Sequence, residues 1–203
     1  CLRFEGFATE GLISMKIVIG ALLSVLSITS ALAETVLITG TNRGIGLEFV
    51  KQYAERGATI IATARRPSEA KELLALAAQH PKVTIEALDV TDVAAIEALA
   101  LKYRGKPIDI LINNAGTLGD VPKQSIGSLD QAEFLYVINA NTYGALKMAE
   151  AFKPNLAAST QKKVFGMSSG LGSSAMVTRR GGFYAYRASK AALNIVFRSL
   201  AGR

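Results

Sequence analysis

A short apolar run followed by clustered glycines constrains the fold of this chain more than any other feature. Val36-Leu37-Ile38 is rich in β-branched residues, which is typical of a strand buried on both faces of a parallel sheet. Gly40, Gly44 and Gly46 follow at once, and an apolar pattern with helical spacing comes next. This order of strand, glycine turn and helix directs backbone N–H groups and the positive end of a helix dipole at one place. A pyrophosphate can bind there.

Apolar runs of the strand type alternate with helical patterns along the rest of the chain. Such alternation implies parallel strands joined by right-handed crossovers, with helices on both faces of the sheet. We therefore predict an α/β fold, a Rossmann-type doubly wound parallel sheet in three α/β/α layers, over residues 35–203. The predicted strands are 36–38, 58–63, 83–88, 108–112 and 163–167, and the predicted helices are 44–56, 67–79, 92–103, 130–152 and one that begins near 184.

Composition limits the number of domains and the classes of partner. Half of the 203 residues are hydrophobic and 19% are charged, which excludes a disordered chain, and the length suits one domain. The net charge of +7 is spread along the sequence, so we predict no nucleic-acid partner. Cys1 and His80 are the only residues of their types, so neither a disulfide nor a structural metal site is expected.

Arginines follow the second predicted strand, where an acidic residue would select NAD. That acid accepts hydrogen bonds from the ribose 2′-OH, whereas Arg65 and Arg66 could pair with a 2′-phosphate. Arg43, inside the glycine loop, could close on the same phosphate. Ordinary exposed charges are the alternative, but the position favours NADP over NAD.

A tyrosine and a lysine four residues apart form a candidate acid–base pair. On a helix Tyr186 and Lys190 share a face. A phenol ordinarily has a pKa of about 10, and a neighbouring positive charge favours its ionised form. The pair could therefore move a proton near neutral pH.

These motifs together resemble those of the short-chain dehydrogenase/reductase family. The glycine loop with Thr39 resembles the family's Thr-Gly-x-x-x-Gly-Ile-Gly loop, Asn-Asn-Ala-Gly stands at 113–116, and Tyr-x-x-x-Lys stands at 186–190. The segment 182–190 resembles the C-factor-like and carbonyl-reductase-like branch. The resemblance implies NADPH-dependent reduction of a small aldehyde or ketone to an alcohol, or the reverse reaction. A non-catalytic NADP-binding or signalling protein of the same fold is the alternative.

The resemblance also implies the roles of individual residues. Tyr186 would exchange the proton, Ser169 would hold the substrate oxygen, Lys190 would bind the nicotinamide ribose, and Asn141 would position a relay water. Ser173 is the alternative to Ser169, because Ser169 lies 17 residues before Tyr186, an interval longer than is usual in the family. The implied cofactor-binding residues are Gly40, Asn42, Arg43, Gly44, Ile45, Gly46, Arg65, Asp89, Val90, Asn113, Ala115, Gly116, Tyr186 and Lys190.

The first 34 residues are predicted to lie outside the fold. Met15-Lys16 opens a mostly apolar run that ends before the small residues Ala31 and Ala33. This pattern is typical of a signal peptide cleaved after Ala33, behind an upstream extension, and the run is too short for a stable membrane span. A packed N-terminal extension is the alternative. The pattern indicates a periplasmic or secreted protein, but nicotinamide enzymes use a cytoplasmic cofactor pool, so a cytoplasmic location stays open.

The end of the sequence leads to two further expectations. A dinucleotide fold of this kind has a sixth strand after the helix that begins near Tyr184, whereas the sequence stops at Arg203. We therefore expect the 203-residue chain to be C-terminally incomplete and to show weak or no activity. The helices near 130–152 and 184–203 resemble those that pair subunits in the family, which predicts a possible homo-oligomer.

Overall fold

A computed structural model describes residues 34–177 and 181–202, which form a five-stranded parallel sheet between layers of helices. The doubly wound fold predicted from the sequence is confirmed. The strands are β1 (Thr35–Ile38), β2 (Thr59–Ala64), β3 (Val83–Ala87), β4 (Ile110–Asn113) and β5 (Lys163–Gly166). The α-helices are α1 (Gly44–Glu55), α2 (Lys71–Gln79), α3 (Val93–Lys102), α4 (Gln131–Ile138), α5 (Gly144–Ala151), α6 (Lys153–Ala157) and α7 (Tyr184–Ala201).

The order of strands in the sheet is β3-β2-β1-β4-β5, and each neighbouring pair is parallel. The chain adds β2 and β3 on one side of β1 and then β4 and β5 on the other side. Ile38 pairs with Ile112, so the loops after β1 and β4 leave the sheet side by side. In open α/β sheets, ligands bind outside the carboxyl ends of the strands at such a reversal.

Alternate residues of each strand pack on opposite faces of the sheet. Val36 and Ile38 pack in the core with α1 and α2, whereas Leu37 packs with α3, α5 and α6. In β2, Ile60 and Ile61 divide between the same two cores. Burying each of these side chains is worth about 1.5–3 kcal/mol. Because both faces of the central strands are covered, Val36-Leu37-Ile38 of β1 and Ile110-Leu111-Ile112 of β4 are continuously apolar.

The structure corrects the prediction of one long helix over 130–152. The helix α4 begins after Asp130, whose side chain accepts a hydrogen bond from the Glu133 N–H at 2.8 Å. The segment Asn139–Tyr143 is π-helical, and α5 continues from Gly144. A single π turn adds one residue to a helix, a change too local for the apolar spacing of the whole segment to reveal. The segment predicted as one helix over 67–79 consists of a 3₁₀ turn, Pro67–Glu69, followed by α2 from Lys71.

For membrane-spanning helices and metal sites, the structure describes only residues 34–177 and 181–202. Within these ranges, no helix is long and apolar enough to cross a membrane. The same ranges contain no group of three or more metal-ligating side chains placed to hold an ion. The predicted signal peptide lies outside the described residues, so it stays a prediction, as does the location derived from it.

Candidate functional site

The loops after β1 and β4 are tied together at the carboxyl edge of the sheet. The Thr39 hydroxyl accepts hydrogen bonds from the Asn114 N–H at 3.1 Å and the Ala115 N–H at 3.0 Å. The Asn114 side chain returns two bonds, donating to the carbonyl of Thr39 at 3.0 Å and to that of Gly40 at 2.9 Å. Because every partner is a fixed backbone group or a buried hydroxyl, these bonds hold the glycine loop in one position.

Two glycines allow the closest approaches within this pair of loops. Gly40 has φ +70°, and a Cβ there would lie 2.8 Å from the Ala115 Cα. A Cβ on Gly46 would collide with the Gly40 carbonyl and lie 2.5 Å from the Asn114 Nδ2. The helix α1 begins at Gly44, and Arg43 before it provides no side-chain cap. The first N–H groups of α1 are therefore available to an anion.

A cavity of about 510 Å³ opens above this edge of the sheet, a volume typical of small-molecule sites. The predicted glycine-loop residues line it, together with residues from the ends of the other strands. The lining includes Gly40, Asn42, Arg43, Gly44, Ile45, Gly46, Arg65, Arg66, Asp89, Val90, Asn114, Ala115, Gly116, Thr117, Tyr136 and Ala140. Uncapped helical N–H groups, a loop of glycines without Cβ atoms and nearby guanidinium groups fit a dinucleotide phosphate.

The arginines after β2 have different partners. Arg66 forms an ion pair with Glu69, with 3.2 Å between Nε and Oε2. Arg65 instead donates from Nη1 to the Tyr136 hydroxyl at 3.3 Å. Asp89 also lines the cavity. Its carboxylate accepts hydrogen bonds from the N–H and the hydroxyl of Thr91 at 2.9 and 2.7 Å, which fixes the loop after β3.

The predicted pair Tyr186 and Lys190 lies on α7 as expected. The Lys190 Nζ is 5.7 Å from the centre of the Tyr186 ring and donates to the Met167 carbonyl at 2.6 Å. Burial lowers the pKa of Lys190 from its usual value. Gly116 joins this pair to the cavity, because a Cβ there would lie 3.6 Å from the Lys190 Nζ. The lysine therefore lies directly behind the cavity wall.

Asn141 lies in the π-helical segment and is 1% exposed. Its Oδ1 accepts from the Thr117 N–H at 2.7 Å, and its Nδ2 donates to the Thr117 carbonyl at 2.8 Å and the Ser189 hydroxyl at 2.9 Å. The side chain thus connects the loop after β4 to the helix of Tyr186. Its role in holding a relay water stays a prediction.

Ser169 lies in the turn after β5, directly beyond the strand end that bonds Lys190. Its Oγ accepts from the Leu171 N–H at 3.2 Å and caps a 3₁₀ turn. Ser173 separates this turn from the next one. Residues 178–180, within the long interval between Ser169 and Tyr186, lie outside the described residues. The choice of Ser169 over Ser173 stays a prediction.

The structure does not place Asn113, Tyr186 or Lys190 in the cavity wall, although all three are predicted cofactor-binding residues. Asn113 is 4% exposed, and neither side-chain amide atom has a hydrogen-bond partner. As the last residue of β4, it lies beside Gly166 of β5 rather than in the loop. Its neighbour Asn114 makes the contacts expected of the motif. Because positions 113 and 114 are both asparagine, the sequence does not show which of the two contacts the glycine loop.

Gln124 is a site residue that sequence reasoning missed. It is 1% exposed, and its Oε1 accepts from the backbone N–H of Tyr186 at 3.0 Å. Its Nε2 donates to the Leu118 carbonyl at 2.7 Å. The helix α7 has no side-chain cap at Phe183, so this glutamine satisfies an N–H of its first turn. No sequence motif marks such a distant partner.

Comparisons with known proteins agree with this geometry. The short chain dehydrogenase family profile matches residues 34–203. Galactitol 2-dehydrogenase of Rhizobium johnstonii is 32% identical over 171 residues, which cover 83% of this chain and 65% of that protein. The NADPH-dependent pterin aldehyde reductase of Arabidopsis thaliana is 31% identical over 145 residues, covering 70% and 59%. The chain thus spans less than two thirds of the length of these relatives.

The structure also superposes on solved structures of carbonyl reductases. The NADPH-bound carbonyl reductase from chicken fatty liver superposes with a TM-score of 0.76 at 33% identity, covering 84% of this chain and 70% of that one. A carbonyl reductase from Pseudomonas aeruginosa PAO1 gives 0.75 at 32% identity, covering 83% and 74%. With the sheet, the glycine loop and the Tyr-x-x-x-Lys helix in place, the chain belongs to the short-chain dehydrogenase family.

Proposed function

We propose that this protein binds NADP and catalyses NADPH-dependent reduction of a small aldehyde or ketone, or the reverse oxidation of the alcohol. One observation supports this most strongly: Gly116 lines the cavity, and a Cβ on it would lie only 3.6 Å from the Nζ of Lys190, the partner of Tyr186. The cavity and the acid–base pair are therefore parts of one site. The NADP named for the chicken enzyme and the substrate class of the carbonyl reductases agree with the proposal.

The protein residues supply binding and proton transfer. The bound nicotinamide supplies the hydride chemistry. The N–H groups at the start of α1 would hold the pyrophosphate, and Arg65 and Arg43, which line the cavity, would bind the 2′-phosphate. Tyr186 donates a proton to the carbonyl oxygen that Ser169 holds, and the Lys190 ammonium stabilises the phenolate left behind.

The test combines cofactor binding with turnover. We expect NADPH to bind the protein and to be oxidised, at a measurable if low rate, in the presence of at least one member of a panel of aldehydes, ketones and quinones. Replacing Tyr186 with phenylalanine removes the proton donor and should lower kcat about 10²–10⁴-fold while NADPH still binds. Tyr184→Phe, two residues away on the exposed side of α7, is the matched control and should change neither quantity.

Two outcomes would contradict the proposal in different ways. Absence of NADPH and NADH binding would contradict the cofactor assignment. Binding without turnover across the panel would favour the alternative of a non-catalytic NADP-binding protein.

A further inference from the structure

One hydrogen bond connects the two walls of the cavity at its adenosine end. Arg65 follows β2, and Tyr136 lies on α4, 71 residues later in the chain. Both side chains line the cavity, and the guanidinium Nη1 donates to the phenol oxygen at 3.3 Å. A ligand that enters the cavity therefore meets an arginine already held from the opposite wall.

The hydrogen bond from Arg65 to the Tyr136 hydroxyl does not neutralise the positive charge of Arg65. Arg66 is bound to a carboxylate of Glu69, which offsets its charge, whereas the contact of Arg65 is with a neutral phenol. A free arginine side chain has many rotamers, and fixing it before a ligand binds reduces the entropy lost on binding. The phenol is rigid, so it can orient the guanidinium without neutralising it.

We propose that Tyr136 is a cofactor-specificity residue that positions Arg65 to receive the 2′-phosphate of NADP. This inference rests on the proposed function. Arg65 contacts the phosphate, and Tyr136 acts through Arg65 by fixing the direction of the guanidinium over the cavity. Its effect is confined to ligands that have a 2′-phosphate, because a plain ribose offers this guanidinium no anion.

The experiment compares the adenosine halves of the two cofactors. Binding of 2′,5′-ADP and of 5′-ADP to the protein and to Tyr136→Phe is measured by isothermal titration calorimetry. The phenylalanine keeps the ring and removes the hydroxyl alone. Loss of one hydrogen bond corresponds to a fall in 2′,5′-ADP affinity of about 2–10-fold, with 5′-ADP affinity unchanged. In an Arg65→Ala background, Tyr136→Phe should have no further effect.

Tyr143→Phe is the matched control, because Tyr143 is an exposed tyrosine seven residues further along that does not belong to the cavity lining. It should leave both affinities unchanged. The inference is overturned if Tyr136→Phe changes neither affinity, changes both equally, or strengthens binding of 2′,5′-ADP. If the unaltered protein binds neither probe, the proposed function fails as well; if it prefers 2′,5′-ADP and Tyr136→Phe keeps that preference, only this inference fails.

Discussion

Lys190 combines a charge with a buried position, and its ionisation is therefore linked to folding. Burial lowers its pKa from the ordinary 10.5, so the unfolded chain binds this proton more tightly than the folded protein does. The resulting cost to stability is full below the lowered pKa and disappears as the pH rises from that value to the unfolded one. The Met167 carbonyl offsets part of this cost by accepting a bond from the ammonium.

Lys190→Met should remove this pH dependence. We expect the free energy of unfolding of the unaltered protein, relative to that of Lys190→Met, to increase as the pH rises towards about 10.5. Urea denaturation of both proteins at a series of alkaline pH values measures the difference. Parallel curves for the two proteins would contradict the assignment of a desolvated lysine.

Gly46 is the position where the absence of a side chain matters most for the glycine loop. An alanine Cβ would collide with the Gly40 carbonyl and with the Asn114 amide that ties the two loops together. We expect Gly46→Ala to lower the free energy of unfolding by about 1–3 kcal/mol and to weaken NADPH binding. Gly202→Ala is the control, because the nearest atom to its Cβ is an ordinary 3.8 Å away. Equal stability of the two variants would show that the loop relaxes freely.

At the scale of elements, the position of α7 depends on a loop that is distant in the sequence. Phe183 before α7 has φ +54° and no capping side chain, whereas Gln124 binds the Tyr186 N–H from the loop between β4 and α4. The loop that borders the cavity and the helix that contains Tyr186 are therefore fixed together.

Gln124→Ala should lower the free energy of unfolding by about 1–3 kcal/mol, because it leaves the Tyr186 N–H and the Leu118 carbonyl without their partner. Gln131→Ala, at an exposed position at the start of α4, should change it by less than about 0.5 kcal/mol. Urea denaturation of both variants tests this. A Gln124→Ala protein as stable as Gln131→Ala would show that water replaces the amide.

The sequence allowed prediction of elements whose signals are local. The β-branched run 36–38 and the glycines after it specify the first strand and turn. Asp92, a residue type that caps helices, precedes α3, and its side chain accepts from the Ala95 N–H at 3.0 Å. Gln124 and Tyr136 could not be found in this way, since their partners lie 62 and 71 residues away. Such contacts exist only after the sheet has brought its strand ends together.

At the scale of the whole molecule, one buried phenol links alkaline pH to global stability. The Tyr103 hydroxyl, at the end of α3, donates to the Glu86 carboxylate of β3 at 2.7 Å, and Lys102 bonds the same carboxylate. Burial and then this hydrogen bond raise the pKa of Tyr103 above its ordinary value of 10.0. The folded protein thus keeps a proton that the unfolded chain releases above about pH 10, so this contribution to stability is present below that pH and is lost as the pH rises further.

Tyr103→Phe should lower the free energy of unfolding by about 1–3 kcal/mol near neutral pH, because Glu86 loses a buried donor. Above about pH 10 the difference between the two proteins should shrink. Denaturation curves at neutral and alkaline pH measure both effects. A constant difference across this range would contradict the linkage.

The helix α4, the π-helical turn Asn139–Tyr143 and the helix α5 follow one another without a break. The π turn sets the rotation of α5 about the helix axis relative to α4. Before it, Tyr136 borders the cavity; after its start, Asn141 and Thr142 bond Ser189 of α7. Each residue of an α-helix turns the chain by about 100°. A regular α-helix with the same number of residues would turn its second half about one residue step further, away from these partners. The wider π turn takes up that residue, so both halves of the helix meet their partners at once.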